Sequence, residues 1–210
     1  YQFNNTEHAA NLFGLKEFGN IYSRLGNPTV GALEARLTAL EEGAMCVALS
    51  SGTSAVMYSL INIMSQGDNF VTANQLYGGT YTMFDNILPE YGINSKKVDI
   101  TDLEAVEAAI DEKTRAIYCE TITNPGLVVA DISALADIAH SKGIPLIVDA
   151  TFTTSAILKP FEYGADIVVY SLTKWMSGHG RVIAGAVIEK GGFDWGNGNF
   201  PLYDKPDTSY

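Results

Sequence analysis

From Met45 onward, short apolar, β-branched runs alternate with longer segments whose apolar residues recur three or four positions apart. Short apolar runs bounded by turn residues predict strands, and the longer spacing predicts helices with one apolar face. Strands are predicted at Met45–Leu49, Asn69–Thr72, Asn94–Val98, Arg115–Cys119, Pro145–Asp149, Asp166–Tyr170 and Ile183–Ile188. Helices are predicted at Val30–Leu40, Thr53–Met64, Thr80–Pro89, Leu103–Ile110 and Ser133–Ser141. Capping signals agree with these bounds. Pro28 precedes the first helix and Gly43 follows it, Thr101 or Asp102 can cap the fourth, Asp131 or Ser133 the fifth, and Gly67 and Gly143 mark helix ends.

Strands that alternate with helices predict an α/β fold with a largely parallel sheet, here of seven strands with helices on both faces. Residues 1–27 read as an irregular arm, and the Gly-rich run Lys190–Asn199 predicts a loop with no further sheet. No repeat or Pro/Gly/Ser linker divides the chain.

Composition then excludes several classes of function. With 47% apolar side chains in 210 residues, the chain can bury a sizeable core. A net charge of −11, with only 13 Lys and Arg scattered along the sequence, argues against nucleic-acid binding, which needs concentrated positive charge. The absence of a spanning apolar run or a signal-like start predicts a soluble, cytoplasmic protein. Cys46 and Cys119 lie inside apolar runs and read as buried thiols. His8, His140 and His179 lack metal-ligand spacing, so no metal is expected. Tyr1 opens the chain without a Met, and Pro206–Tyr210 closes it without a finishing helix, which reads as a piece of a longer protein.

In parallel sheets ligands gather outside the carboxyl ends of the strands. The first predicted strand ends in Ser50-Ser51-Gly52-Thr53 and turns directly into a helix, so backbone N–H groups stand at a positive helix end, a seat for phosphate. The same turn also serves as a plain helix cap. The fifth strand ends in Asp149, a carboxylate costly to bury without a partner; a cationic ring nitrogen is one partner and a loop cap is another. The sixth runs into Ser171-Leu172-Thr173-Lys174, then Gly178-His179-Gly180. A lysine desolvated at a strand end is suited to attack an aldehyde, and Ser171 and Thr173 can share one face.

Seven ordered stretches carry a family resemblance. They are Tyr22-Ser23-Arg24 with Asn27-Pro28-Thr29; Leu33 to Leu37 with Leu40-Glu41; Leu76 to Thr80; Glu120-Thr121 with Asn124-Pro125; Val148-Asp149; Gly164 to Val168; and Ser171 to Lys174 with Gly178-His179-Gly180. In these the chain resembles the Cys/Met metabolism family of pyridoxal-phosphate (PLP) enzymes, the cystathionine γ-synthase-like branch of the aspartate-aminotransferase fold, known as fold type I.

The resemblance implies PLP as cofactor, with Lys174 as its Schiff-base lysine and Asp149 at its ring nitrogen. It implies that Tyr77 stacks on the ring and moves protons, that Asn124 bonds the ring oxygen or the substrate carboxylate, and that Ser51, Gly52, Thr53, Ser171 and Thr173 hold the phosphate. It also implies that Tyr22 and Arg24, in an arm over 1–28, reach a neighbouring subunit's phosphate in a homodimer or homotetramer. Residues 29–190 would form the PLP-binding domain, and 191–210 would lead to a carboxy-terminal domain that supplies an arginine for the substrate carboxylate and lies outside this sequence. His179 is expected to order its loop.

The flanks Glu7–Phe13, Glu17–Tyr22 and Gly191–Tyr210 resemble the branch that replaces the acetate of O-acetylhomoserine with sulfide or methanethiol. Methionine γ-lyase and cystathionine γ-synthase or γ-lyase chemistry are the alternatives, followed by a non-catalytic remnant of the fold. Ala150 stands where the family usually has Asn, and Thr154-Ser155-Ala156 replaces a Thr-Pro-Tyr-like segment. Without the second domain, weak catalysis is expected of these residues alone.

Overall fold

The computed structural model describes residues 1–203, so Pro206–Tyr210 of the resemblance lies outside the described residues. One seven-stranded sheet forms from β1 (Met45–Leu49), β2 (Asn69–Ala73), β3 (Asn94–Val98), β4 (Thr114–Glu120), β5 (Leu146–Asp149), β6 (Ile167–Ser171) and β7 (Gly185–Glu189), in the order β1-β7-β6-β5-β4-β2-β3. Strands β3, β2, β4, β5 and β6 run parallel, and β7 is antiparallel to both β6 and β1. Every position of β2 is buried, as the near-continuous apolar reading of a parallel strand covered on both faces requires.

The helices are α1 (Thr6–Phe13), α2 (Pro28–Glu41), α3 (Gly52–Ile61), α4 (Gly78–Thr82), α5 (Leu103–Ala109), α6 (Ile132–Ser141) and α7 (Thr154–Ile157). Helix α3 packs along β6, β7 and β1, while α6 packs on β5 and β4 and touches α5 over β3. The caps are built as their chemistry requires. Asn27, Ser51, Asp102 and Asp131 each accept from a backbone N–H in the first turn of the helix they start.

Three sequence expectations need correction. The arm is not wholly irregular: Asn5 accepts the His8 N–H and starts α1. The single helix predicted over Thr80–Pro89 is α4 followed by a π turn (Met83–Ile87) and a 3-10 turn (Leu88–Tyr91), because Pro89 has no N–H to continue α-helical bonding. Strand β4 extends one residue further, to Glu120. The 190–199 segment contains no strand, as expected.

A buried aromatic row of Phe70, Phe84 and Tyr118, with edge-to-face ring separations of 4.7 and 5.2 Å, fills the core against β2 and β4. Cys46 and Cys119 are buried, and burial pushes both thiols up to about 12, so they behave as small apolar groups. No helix among the described residues is long and apolar enough to cross a membrane.

Candidate active site

The strand register decides which strand ends meet. Glu120 pairs with Asp149, Asp149 with Val169, Ser171 with Gly185, and Gly185 with Leu49. The carboxyl ends of β1, β4, β5 and β6 and the amino end of antiparallel β7 therefore share one edge. A cavity of about 680 Å³ opens there. Ser51, Gly52, Thr53, Tyr77, Asn124, Asp149, Ser171, Thr173 and Lys174 all line it.

Close packing at its floor is made possible by two glycines. A Cβ on Gly52 would sit 2.4 Å from Ser171 Cβ, and one on Gly185 would sit 2.0 Å from the Ser51 carbonyl oxygen. The start of α3 therefore rests directly against the ends of β6 and β7. Ser51 Oγ accepts the Ser54 N–H at 3.1 Å, which leaves the preceding N–H groups of Gly52 and Thr53 at the helix end facing the cavity. Phosphate fits this cradle, since an anion meets both unused donors and the positive end of the helix dipole. Ser171 extends the cradle. The Thr173 hydroxyl is tied instead to the Ala184 backbone, donating to its carbonyl at 3.2 Å and accepting its N–H at 3.1 Å, so it also braces the turn leading into β7.

Asp149 accepts the Thr151 N–H at 2.9 Å and the Tyr118 hydroxyl at 3.2 Å. Its pKa is nevertheless raised, because burial outweighs these bonds and no cation among the described residues offsets it. A protonated pyridine nitrogen supplies the missing positive charge, so the donor set fits PLP at this end as well as at the phosphate end. Lys174 follows β6 and lines the cavity, but it is exposed rather than desolvated, contrary to the strand-end argument, because β6 stops at Ser171 and the lysine stands beyond the sheet.

Tyr77 caps α4 and is half-exposed; its ring lies over Gly79, where a Cβ would come within 2.6 Å of it. Tyr22 and Arg24 are not brought to the cavity. They engage each other, with Arg24 donating to the Tyr22 hydroxyl and its guanidinium 4.9 Å from the Tyr22 ring centre. His179 is exposed between Gly178 and Gly180, both at positive φ, which agrees with a loop residue.

Sequence reasoning missed the role of Glu120. Its carboxyl is buried beside Asp149, and Oε1 accepts the Tyr77 N–H at 2.7 Å while Oε2 accepts the Asn124 N–H at 2.9 Å. Burial, reinforced by the Asp149 charge, pushes it up to about 7. A carboxylate closing an apolar strand was the signal that singled out Asp149, but the predicted strand ended one residue short of Glu120. Thr151, whose hydroxyl accepts the Ser171 N–H at 2.8 Å, and the apolar lining residues Ile122, Phe152 and Ile183 were also missed.

Comparison with known proteins agrees with this geometry. The chain is 48% identical over its whole length to O-acetyl-L-homoserine sulfhydrylase of Leptospira meyeri, covering 48% of that protein. It is 48% identical to O-acetyl-L-homoserine sulfhydrylase 1 of Thermus thermophilus, covering 50% of it. Among solved structures, it superposes with a TM-score of 0.95 and 41% identity on an O-acetylhomoserine (thiol)-lyase designation from Campylobacter jejuni that carries N'-pyridoxyl-lysine-5'-monophosphate; all of this chain and 52% of that one are covered. The chain thus spans about half the length of the relatives it matches. Residues 1–203 match the family model described as Cys/Met metabolism PLP-dependent enzyme, and the chain belongs to that family.

Proposed function

We propose that this chain forms the cofactor-binding part of an enzyme that replaces the acetate of O-acetylhomoserine with sulfide or methanethiol, giving homocysteine or methionine. One observation carries the reading: Lys174, the Asp149 carboxyl and the amino end of α3 line one cavity. Asp149 would hold PLP at its ring nitrogen, Gly52, Thr53 and Ser171 at its phosphate, and Lys174 at its aldehyde. When bound, PLP supplies an aldehyde that captures amines and a ring that accepts the electrons released when a bond at the substrate α-carbon breaks. Lys174, which would hold the cofactor at its aldehyde, would also take the proton from the substrate α-carbon. Tyr77 lies at the cavity mouth, where its phenol can carry protons to and from the substrate. Asn124 orients the ring oxygen or the substrate carboxylate.

Tyr22 and Arg24, at one end of an arm over residues 1–28, serve a neighbouring copy's phosphate in a homodimer or homotetramer in the cytoplasm. Their mutual contact, away from this chain's own cavity, supports that assignment. Residues 29–190 form the cofactor domain, and the segment that follows begins by packing on it, with Phe200 buried and Asn197 and Asn199 donating to the Gly143 carbonyl.

Borohydride reduction after PLP addition, followed by peptide mapping, tests the site. The adduct is expected on Lys174, and an adduct on Lys142 or Lys159 would overturn the assignment. Incubating a protein that carries this chain with O-acetylhomoserine and sulfide tests the reaction. Homocysteine is expected, and release of an α-keto acid and ammonia instead would place the enzyme among the lyases.

A further inference from the structure

Two loops bring Tyr77 and Asn124 to the cavity, and neither is held there by the sheet ladder. The first leaves β2 and enters α4, and Tyr77 has no side-chain cap of its own. The second follows β4 and closes on itself: Thr123 donates to the Val128 carbonyl at 2.9 Å, its hydroxyl accepts the Val128 N–H at 3.0 Å, and Leu127 donates to the Thr123 carbonyl at 2.9 Å. These bonds tie the two ends of the loop together. What joins the two loops is one side chain: Glu120 accepts the Tyr77 N–H on one oxygen and the Asn124 N–H on the other. The loops also interlock, since Gln75 Oε1 lies 1.5 Å from where a Cβ on Gly126 would stand.

We propose that Glu120 is a positioning residue, a carboxylate clamp that locks the Tyr77 loop and the Asn124 loop together and fixes both at the cofactor cavity. The clamp itself follows from the hydrogen bonds; its service to PLP rests on the function proposed above. A buried acidic side chain is costly, and here the cost is offset by two N–H groups for which no other hydrogen bond is found among the described residues. Both bonds are strongest with the ionised form, because a carboxylate accepts at both oxygens while protonation turns one oxygen into a donor and a poorer acceptor.

The titratable and charged groups around Glu120 are Asp149 on β5, Tyr118 and Cys119 on β4, and Tyr77 and Lys174 at the cavity. Of these, Asp149 accepts from Thr151 and Tyr118 and touches neither loop amide. Among the described residues, Glu120 is the side chain that hydrogen-bonds to both loops. Burial raises the Glu120 pKa to about 7 while the two loop N–H bonds lower it; losing those bonds with the carboxyl still buried would raise it further, so proton uptake favours release of the loops and the clamp is closed above neutral pH.

Amide hydrogen exchange reads this directly. In Glu120→Gln the amide offers one acceptor oxygen and places an NH2 against the other loop N–H. Exchange in residues 74–80 or in 121–127 is then expected to rise roughly tenfold while β5 and β6 keep their protection. Unchanged exchange in both segments, or a loss spread evenly over β5 and β6, would overturn the clamp. Should Glu120→Gln fail to fold, the unsubstituted chain decides. Corrected for intrinsic chemistry, protection in both segments is expected to fall between about pH 8 and about pH 6, and a flat profile would overturn the proposal. PLP affinity is read separately. If the loops loosen in Glu120→Gln and PLP binds as before, the clamp stands, and the assignment of Tyr77 and Asn124 to the cofactor fails.

Discussion

Substitutions at Asp149 and Gly79 each separate the proposed cofactor role from the fold. Asp149 has a raised pKa, and burial is the first cause. A carboxyl whose pKa is raised by folding contributes stability that is present below the ordinary value of 3.8 and lost as pH rises through the folded value. At pH 8 the ionised group therefore strains the cofactor-free chain. Asp149→Asn keeps an acceptor for Tyr118 or Thr151 and removes the charge, so thermal unfolding followed by circular dichroism at pH 8 should move up by about 2–4 °C for each 1 kcal/mol relieved. PLP affinity should fall at least about tenfold, a loss of ~1.4 kcal/mol. A lower unfolding midpoint in this variant would show that ionised Asp149 is not a burden. Gly79→Ala places a methyl against the Tyr77 ring, which swings away at little cost to the backbone. Titration of PLP by absorbance should then show several-fold weaker binding with an almost unchanged unfolding midpoint.

Helix α3 and the two strand ends beneath it act as one element. Ser51 is its cap, and Ser51→Ala should cost about 1 kcal/mol in urea unfolding. Gly185→Ala acts on the same contact differently. Its methyl would meet the Ser51 carbonyl oxygen, backbone against backbone, and neither side can yield. A loss of about 1–3 kcal/mol is expected from such overpacking, together with loss of the phosphate cradle. If Gly185→Ala proved no worse than Ser51→Ala, the tight seat of α3 on β7 would be wrong. Strand β4 teaches the complementary lesson. Its apolar alternation carried the prediction to Cys119, and its last residue, a carboxylate, was invisible to an apolar pattern although it is the group that joins two loops.

For the whole molecule, the decisive question is which chain completes which cavity. Mixing Lys174→Ala chains with Arg24→Ala chains gives hybrids in which one cavity has its own lysine and receives an intact arm from the partner. PLP binding above the average of the two parent variants is the expected result; a simple average would mean that the arm serves its own cavity or none. The sequence by itself determined the α/β class, all seven strands to within two residues, and nine residues that line the cavity, because apolar periodicity and strand-end polar groups are local signals. It also pointed to Lys174 and Asp149 through the order of motifs. Only the tertiary structure decided which strand ends lie side by side. The register that sets Glu120 against Asp149 and the seat of α3 against β6 and β7 depend on groups distant in sequence. Local pattern carries no information about such distances: it fixes which face each residue shows, and packing fixes what that face meets.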